Sequence, residues 1–238
     1  MTHERASVVI PTMHREPEML RDLVGLLVAH PQVLEVLVVN NADADLRLPP
    51  GPVREIHRGE NLYVNPSWNL GAASARGELL VLANDDIRIS SRFVSTALRL
   101  ASGPVGIVGP HTSTQRRSRD GVAWALPAYE RTPVFGTFMA MRRENYVGIP
   151  DDLKVFCGDD YIFHAQARRN LWFGGLANTT IMGRTSRDPQ FDAIKAADVA
   201  AFNARHRYEL GYLARYGREA GAVNALRAAS RRLGGRPE

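Results

Sequence analysis

Glu78-Leu79-Leu80-Val81-Leu82-Ala83-Asn84-Asp85-Asp86 is an apolar run that stops in two adjacent carboxylates. A run without polar alternation reads as a strand buried on both faces. In an open sheet of parallel strands the carboxyl ends open into the crevice where ligands bind. Paired acids at such an end can hold a divalent cation that neutralises phosphate charge. A second pair, Gly158-Asp159-Asp160, has no fixed cation beside it in the sequence and offers a base. Used together, the two pairs point to group transfer from a nucleotide-activated donor.

Outward from this run, short β-branched stretches alternate with helical patterns. Residues 7–10, 35–39, 53–57, 79–83 and 105–108 read as strands, and residues 16–30, 66–76 and 91–101 read as helices. Such alternation predicts an α/β fold with a mostly parallel sheet flanked by helices. Pro17 and Pro66 fall near helix starts, where proline is tolerated. Residues 111–131, polar, basic and without period, read as a mobile loop that either gates an acceptor or is plain surface. A strand is expected over residues 137–142 and a helix over 160–170. Residues 192–233 are helix-compatible, with Phe202, Leu210, Leu213, Leu226 and Leu233 among arginines, which reads as an amphipathic tail. No internal repeat of fixed period is present.

The chain has 238 residues, of which 45% are hydrophobic, enough for a sizeable core. Its net charge of +5 and isoelectric point near 9.7 suit partners that carry phosphate. The single cysteine, Cys157, excludes an internal disulfide framework. With no basic-then-apolar pattern at the start, a cytoplasmic location is expected. No stretch approaches the roughly 18 apolar residues of a spanning helix, so any membrane contact is expected to be peripheral.

Taken in order, Ser7-Val8-Val9-Ile10-Pro11-Thr12, Glu35-Val36-Leu37-Val38-Val39-Asn40-Asn41, Asn69-Leu70-Gly71-Ala72-Ala73, Gly77-Glu78 and Asn84-Asp85-Asp86 resemble the nucleotide-binding half of family-2-type glycosyltransferases with the GT-A fold. Gly136-Thr137-Phe138-Met139 and Gly158-Asp159-Asp160-Tyr161 resemble that family's acceptor strand and acidic catalytic motif. The resemblance covers about residues 6 to 190. It implies a glycosyltransferase domain over residues 1–190, with a nucleotide-binding half to about 110 and an acceptor half from 111, followed by a helical extension over 191–238.

The resemblance further implies a nucleotide-diphosphate sugar as donor and Mn²⁺ or Mg²⁺ as cofactor. Pro11 and Thr12 would touch the nucleotide, with Arg15 near it and Asn69 among the donor-site residues. Asn40 or Asn41 stands where the family usually has an aspartate that reads the base, and an amide makes that contact only with its oxygen facing the base N–H. Asp86 corresponds to the metal ligand, and Asp85 to a residue nearer the ribose or sugar. Asp160 corresponds to the general base of an inverting transfer, and Asp159 to a group that hydrogen-bonds the acceptor. Relatives often supply a histidine after the catalytic helix, whereas Thr180-Ile181-Met182-Gly183-Arg184-Thr185-Ser186-Arg187 has none. Arg184 or Arg187 could bind the diphosphate instead, with Asp188 and His206 as remote alternative ligands.

Plainer readings stand beside these. Asp85-Asp86 could be a solvated turn, Asp160 a helix N-cap, Trp68 a core residue, and His14 and His164 ordinary surface or hydrogen-bonded side chains. Cys157 reads as a small apolar residue rather than a nucleophile. Rival functions are a sugar-phosphate nucleotidyltransferase, a catalytically silent nucleotide-sugar binder and a nucleic-acid module. The first usually starts with a glycine-rich loop, which Pro11-Thr12-Met13-His14-Arg15 lacks. Acceptors could be a glycan, a lipid-linked sugar, a protein or another hydroxyl compound, and Leu210, Leu213 and Leu226 could form a homodimer seam.

Overall fold

The computed structural model describes residues 4–181, 188–206, 211–212 and 214–222. Arg184, Arg187, Leu210, Leu213, Leu226, Leu233 and the side chain of His206 lie outside the described residues. Strands β1 (Ala6–Thr12), β2 (Val33–Asn40), β3 (Val53–Arg58) and β4 (Leu79–Ala83) alternate with helices α1 (Pro17–Val28) and α2 (Val64–Ser74). Next come β5 (Ile87–Ile89), α3 (Ser91–Ala101), β6 (Ile107–Pro110), β7 (Trp124–Ala128) and β8 (Phe138–Arg142). The remaining elements are α4 (Gly158–Ala165), β9 (Asn170–Gly174), β10 (Asn178–Thr180) and α5 (Asp192–His206).

Eight strands form one sheet in the order β3-β2-β1-β4-β8-β6-β9-β7, and β5 pairs with β10 in a small separate ribbon. From β3 to β4 all pairings are parallel, and β8 enters antiparallel between β4 and β6. This is the expected mixed, mostly parallel α/β sheet. Alternate residues of each strand feed two cores. Val8, Ile10, Val36, Val38 and Val81 pack against α1 and α3, while Val9, Leu37, Val39, Leu80 and Leu82 pack against α2 and α4. Burial on both faces is why these strands carry no polar alternation. Helix α2 lies so close to β1 that a Cβ at Gly71 would stand 2.1 Å from Val9 Cγ1, so only glycine fits there.

Two expectations need correction. Residues 111–131 are not one loop. They contain a 3₁₀ turn (Thr112–Thr114) and the edge strand β7, and the Asp120 carboxylate ties them down by accepting from Ser90 Oγ at 2.9 Å and Ala177 N at 2.8 Å. β7 escapes sequence reading because it is an edge with Ala125 and Leu126 exposed and Pro127 within it. The helix expected over 160–170 ends at Ala165, and Asn170 opens β9, whose apolar run Leu171-Trp172-Phe173 is too short to separate from a helix by period. The ribbon of β5 and β10 was not foreseen at all. The tail does more than extend the chain, since Tyr212 is fully buried in the second core. Its hydroxyl donates to Ala128 O at 2.6 Å and accepts from Asn170 N at 3.0 Å.

At the opposite end of the sheet from the acids, Glu35 is 1% exposed and joins several strands. Ser7 Oγ donates to it at 2.8 Å, the Arg76 amide at 3.0 Å, and Arg76 Nη2 at 2.7 Å. Burial alone would raise this carboxyl, but the Arg76 and Ser7 hydrogen bonds outweigh it and hold it at about 2. The lowered value stabilises the fold above the ordinary carboxylate range, and the contribution disappears as pH falls from 4.5 toward 2. Glu35→Ala is expected to cost about 2–3 kcal/mol in urea denaturation at pH 7, chiefly from the stranded Ser7 hydroxyl and the cavity left behind, because the exposed guanidinium of Arg76 returns to water. The deficit relative to wild type should narrow at acid pH.

Candidate active site

β1 and β4 run parallel side by side, so Thr12 at the end of β1 meets the acids that follow β4. Thr12 Oγ1 donates to Asp85 Oδ2 at 2.5 Å and accepts from His14 N at 2.9 Å, where the backbone turns through a left-handed residue (φ 55°). Pro11, Thr12, Arg15, Asn41, Asp85 and Asp86 line one pocket, together with Met13, Glu16, Asn61, Tyr63, Val155 and Phe191. The Asp85 carboxyl is raised, first by burial, with the Thr12 hydrogen bond opposing. Asp86 is pushed up to about 7, again by burial first and then by the charge of Asp85. Asp86 Oδ1 is buried and has no hydrogen-bond partner among the described residues. A solvated turn would show none of this.

Other expected residues sit elsewhere. Asn40 lies beneath the pocket, where its amide donates to Ala44 O and to Glu55 Oε1. Asn41 reaches the pocket wall, but its Oδ1 accepts from Leu62 N at 3.0 Å and its Nδ2 donates to Ser67 Oγ at 3.0 Å. Asn69 ties α2 to the loop after β8 by donating to Ile149 O at 2.8 Å and accepting from Tyr146 Oη at 2.6 Å. Trp68 is core, as its plainer reading held. Asp188 pairs with Arg15 at 3.1 Å and caps a short 3₁₀ turn at Gln190 N, so its carboxylate is already engaged.

Asp159 and Asp160 lie in the first turn of α4, outside the walls of that pocket but at the same edge of the sheet. A Cβ at Gly136 would stand 2.2 Å from Asp159 Oδ2, so glycine there makes room for the carboxylate. The carbonyl of the next residue, Thr137, accepts from Asn84 N at 3.0 Å, which joins the surroundings of the two acid pairs through one backbone bond. The N-cap position of α4 belongs to Cys157, in a left-handed conformation, so Asp160 is not the cap. Burial, then the charges of Asp160 and Asp159, push the Cys157 thiol up to about 12, which leaves it protonated and a poor nucleophile.

Sequence reading missed two residues that organise this corner. Arg131 donates through Nε to Asp160 Oδ1 at 2.6 Å and through Nη1 contacts Asp159 Oδ2 at 3.0 Å. Burial raises Asp159, and the Arg131 charge opposes that rise. Asp198 of α5 is 1% exposed, and its carboxylate accepts three successive amides, from Lys154 at 3.0 Å, Val155 at 2.8 Å and Phe156 at 2.8 Å. It thereby shapes the segment that lines the pocket at Val155 and leads into Asp159. No local signal marks either residue, since each partner is dozens of positions away. Among the described residues no group of three or more His, Cys, Asp or Glu side chains is assembled around a metal position.

The family model described as Glycosyl transferase family 2 matches residues 7–158. The chain belongs to that family. The chain shares its GT-A fold with solved structures of low identity. A mannosyltransferase, PcManGT, from Pyrobaculum calidifontis, solved with GDP-Man and Mn²⁺, is 18% identical with a TM-score of 0.56, covering 95% of this chain and 81% of that one. S. aureus TarS 1-349 is 15% identical with a TM-score of 0.51, covering 74% of this chain. The same TarS fragment with UDP-GlcNAc is 16% identical with a TM-score of 0.52. The match spans 60% of that TarS fragment and 39% of a longer TarS chain. A search of curated protein sequences finds no match. Among the described residues of this transferase no helix is long and apolar enough to cross a membrane.

Because its folded-state value lies above that of an unfolded aspartate, Asp86 lowers stability progressively as pH rises from 3.8 to about 7. Asp86→Asn removes that penalty. In EDTA-containing buffer the variant's melting temperature is expected to gain on wild type across that interval and to hold the advantage above it. A constant difference from pH 4 to pH 8 would show that the site does not perturb this acid.

Proposed function

We propose that this glycosyl transferase is an inverting enzyme that moves a sugar from a nucleotide-diphosphate sugar to an acceptor hydroxyl. Asp160 acts as general base, and Asp86, with Asp85 beside it, holds a divalent cation. The observation that carries this reading is the different treatment of the two acid pairs at one sheet edge. Asp86 keeps an unpartnered, buried oxygen in a pocket, whereas Asp160 is already bonded to an arginine. Uncompensated acids suit an incoming cation, and a compensated one suits a permanent base.

The donor set fits Mn²⁺ or Mg²⁺, which take oxygen ligands, with carboxylates supplemented by phosphate and water. Such a cation, when bound, would neutralise charge on the departing diphosphate. Support for its presence comes from the Mn²⁺ and GDP-Man held by the Pyrobaculum relative. The pocket assigns the remaining tasks to this chain's own residues. Thr12 orients Asp85 by its hydrogen bond. Arg15, half-exposed and paired with Asp188, offers a cation at the pocket mouth, and Phe191 closes a wall with apolar surface.

In the transfer, an electron pair of the acceptor oxygen forms the new bond to the anomeric carbon. The bond from that carbon to the diphosphate oxygen breaks, and its electron pair leaves with the nucleoside diphosphate. Asp160 takes the hydroxyl proton as nucleophilicity is demanded. Attack opposite the leaving group inverts the anomeric centre. Among the described residues Asp160 Oδ1 is the oxygen engaged by Arg131, so Oδ2 is the acceptor's partner.

A thermal-shift screen against UDP, GDP, dTDP and CDP and their sugar conjugates, with Mn²⁺ and with EDTA, tests the donor site, because a ligand that binds the folded state raises the melting temperature. One nucleotide class is expected to stabilise the protein in Mn²⁺ and to lose most of that effect in EDTA or in Asp86→Asn. Asp160→Asn should keep the nucleotide-induced shift while lowering nucleoside diphosphate release by at least about 100-fold. No shift with any nucleotide would refute the donor assignment.

A further inference from the structure

The Asp159–Asp160 pair raises an electrostatic problem that the transfer chemistry alone does not solve. Two neighbouring carboxylates in a partly buried first helical turn repel each other, and like charges at such distance drive one of them to take a proton. A protonated Asp160 could not accept the acceptor's proton. Among the described residues the charged and titratable groups around the pair are Arg131 from the segment after β7, Cys157 at the start of α4 and, beyond Cys157, Asp198 of α5. One turn along α4, His164 stacks toward Phe202 and Tyr212 instead. Of these groups Arg131 alone is a permanent cation, and it contacts both acids.

Its geometry is that of a fork. Nε takes Asp160 and Nη1 takes Asp159, while Nη1 also donates to Thr132 O at 3.3 Å, which locks the guanidinium plane to its own backbone. The backbone is held in turn. Tyr212 Oη bonds Ala128 O at 2.6 Å, Tyr129 Oη donates to Glu219 at 3.1 Å, and Thr132 Oγ1 donates to Pro110 O at 3.3 Å. The Arg131 side chain is 24% exposed, so water screens the contact only in part. We infer that Arg131 is the positioning residue of the transfer reaction, setting a fixed positive charge against both Asp159 and Asp160 and turning one oxygen of Asp160 toward the acceptor. This rests on the assignment of Asp160 as base made above.

Arg131→Gln removes charge and fork together, and Arg131→Lys keeps the charge without the planar two-point contact. Nucleoside diphosphate release from UDP-N-acetylglucosamine, UDP-glucose and GDP-mannose is measured between pH 5 and 9 for wild type, both variants and Asp160→Asn, alongside nucleotide affinity. Arg131→Gln is expected to bind nucleotide within about twofold of wild type and to lose about 100-fold in kcat through misplacement of the base. Its acidic limb should move to higher pH by at least about one unit, since the acid pair then gives up its charge earlier. Arg131→Lys should keep the limb near its wild-type position with kcat still reduced. A merely structural role would lower kcat and leave the limb in place, so an unmoved limb in Arg131→Gln overturns the inference.

Should Arg131→Gln fail to fold, the charge-removing Arg131→Met is measured in its place and the limb again decides: a shift to higher pH upholds the inference, and an unmoved limb overturns it. Asp160→Asn separates the two levels. If it is inactive while Arg131→Gln keeps the wild-type profile, only the arginine's role falls. If Asp160→Asn retains full activity, the base assignment falls and the arginine's role with it.

Discussion

Everything at this site depends on β4 having two unlike neighbours. It runs parallel to β1, with Val9 beside Leu82, and antiparallel to β8, with Met139 beside the same Leu82. Parallel pairing brings the end of β1 to the end of β4, so Thr12 meets Asp85. Antiparallel pairing brings the start of β8 to that same end, so Gly136 and Thr137 stand beside Asn84. A sheet parallel throughout would carry the β8 glycine to the far edge, and Asp159 would have nowhere to lie. The change of direction at one central strand thus collects the end of one segment, the end of a second and the start of a third in a single crevice, in line with the rule that ligands bind where strand order changes.

The two acid pairs are then handled by opposite physical means. Among the described residues Asp85 and Asp86 form no ion pair, and burial raises both carboxyls. Asp159 and Asp160 share the Arg131 guanidinium, whose charge opposes the rise that burial imposes on Asp159. At the far end of the same sheet Glu35 is compensated even more fully, by hydroxyl, amides and guanidinium, and serves the fold rather than the chemistry. Burial raises Asp85, Asp86 and Asp159, and only at Glu35 do the hydrogen-bond partners outweigh it.

The side of the molecule that carries Arg131, Asp159 and Asp160 is held together from its C-terminal part. Asp198 sets the path of residues 154–156, Tyr212 pins β7 to β9, and Glu219 reaches Arg169 and Tyr129. What reads as an amphipathic extension therefore supports the segments on which Asp160 and Arg131 stand. Loss of these contacts would act on the site through the backbone, without touching any group that meets substrate.

The amino-acid sequence by itself determined the α/β alternation, the buried strands around residues 79–83 and 35–39, and the placing of Thr12, Asp85, Asp86, Asp159 and Asp160 at strand or helix ends. These are local facts, carried by hydrophobic period and by acids that abruptly end an apolar run. Only the tertiary structure decided that β7 is an edge strand, that Asn40 and Asn69 spend their amides on the fold, and that Asn41 reaches the pocket with its amide already engaged. It alone joined Arg131 to Asp160 across 29 positions and Asp198 to Phe156 across 42. An ion pair or a carboxylate clamp between distant residues leaves no pattern along the chain, because its energy depends on where folding brings the partners and not on what stands next to them in sequence.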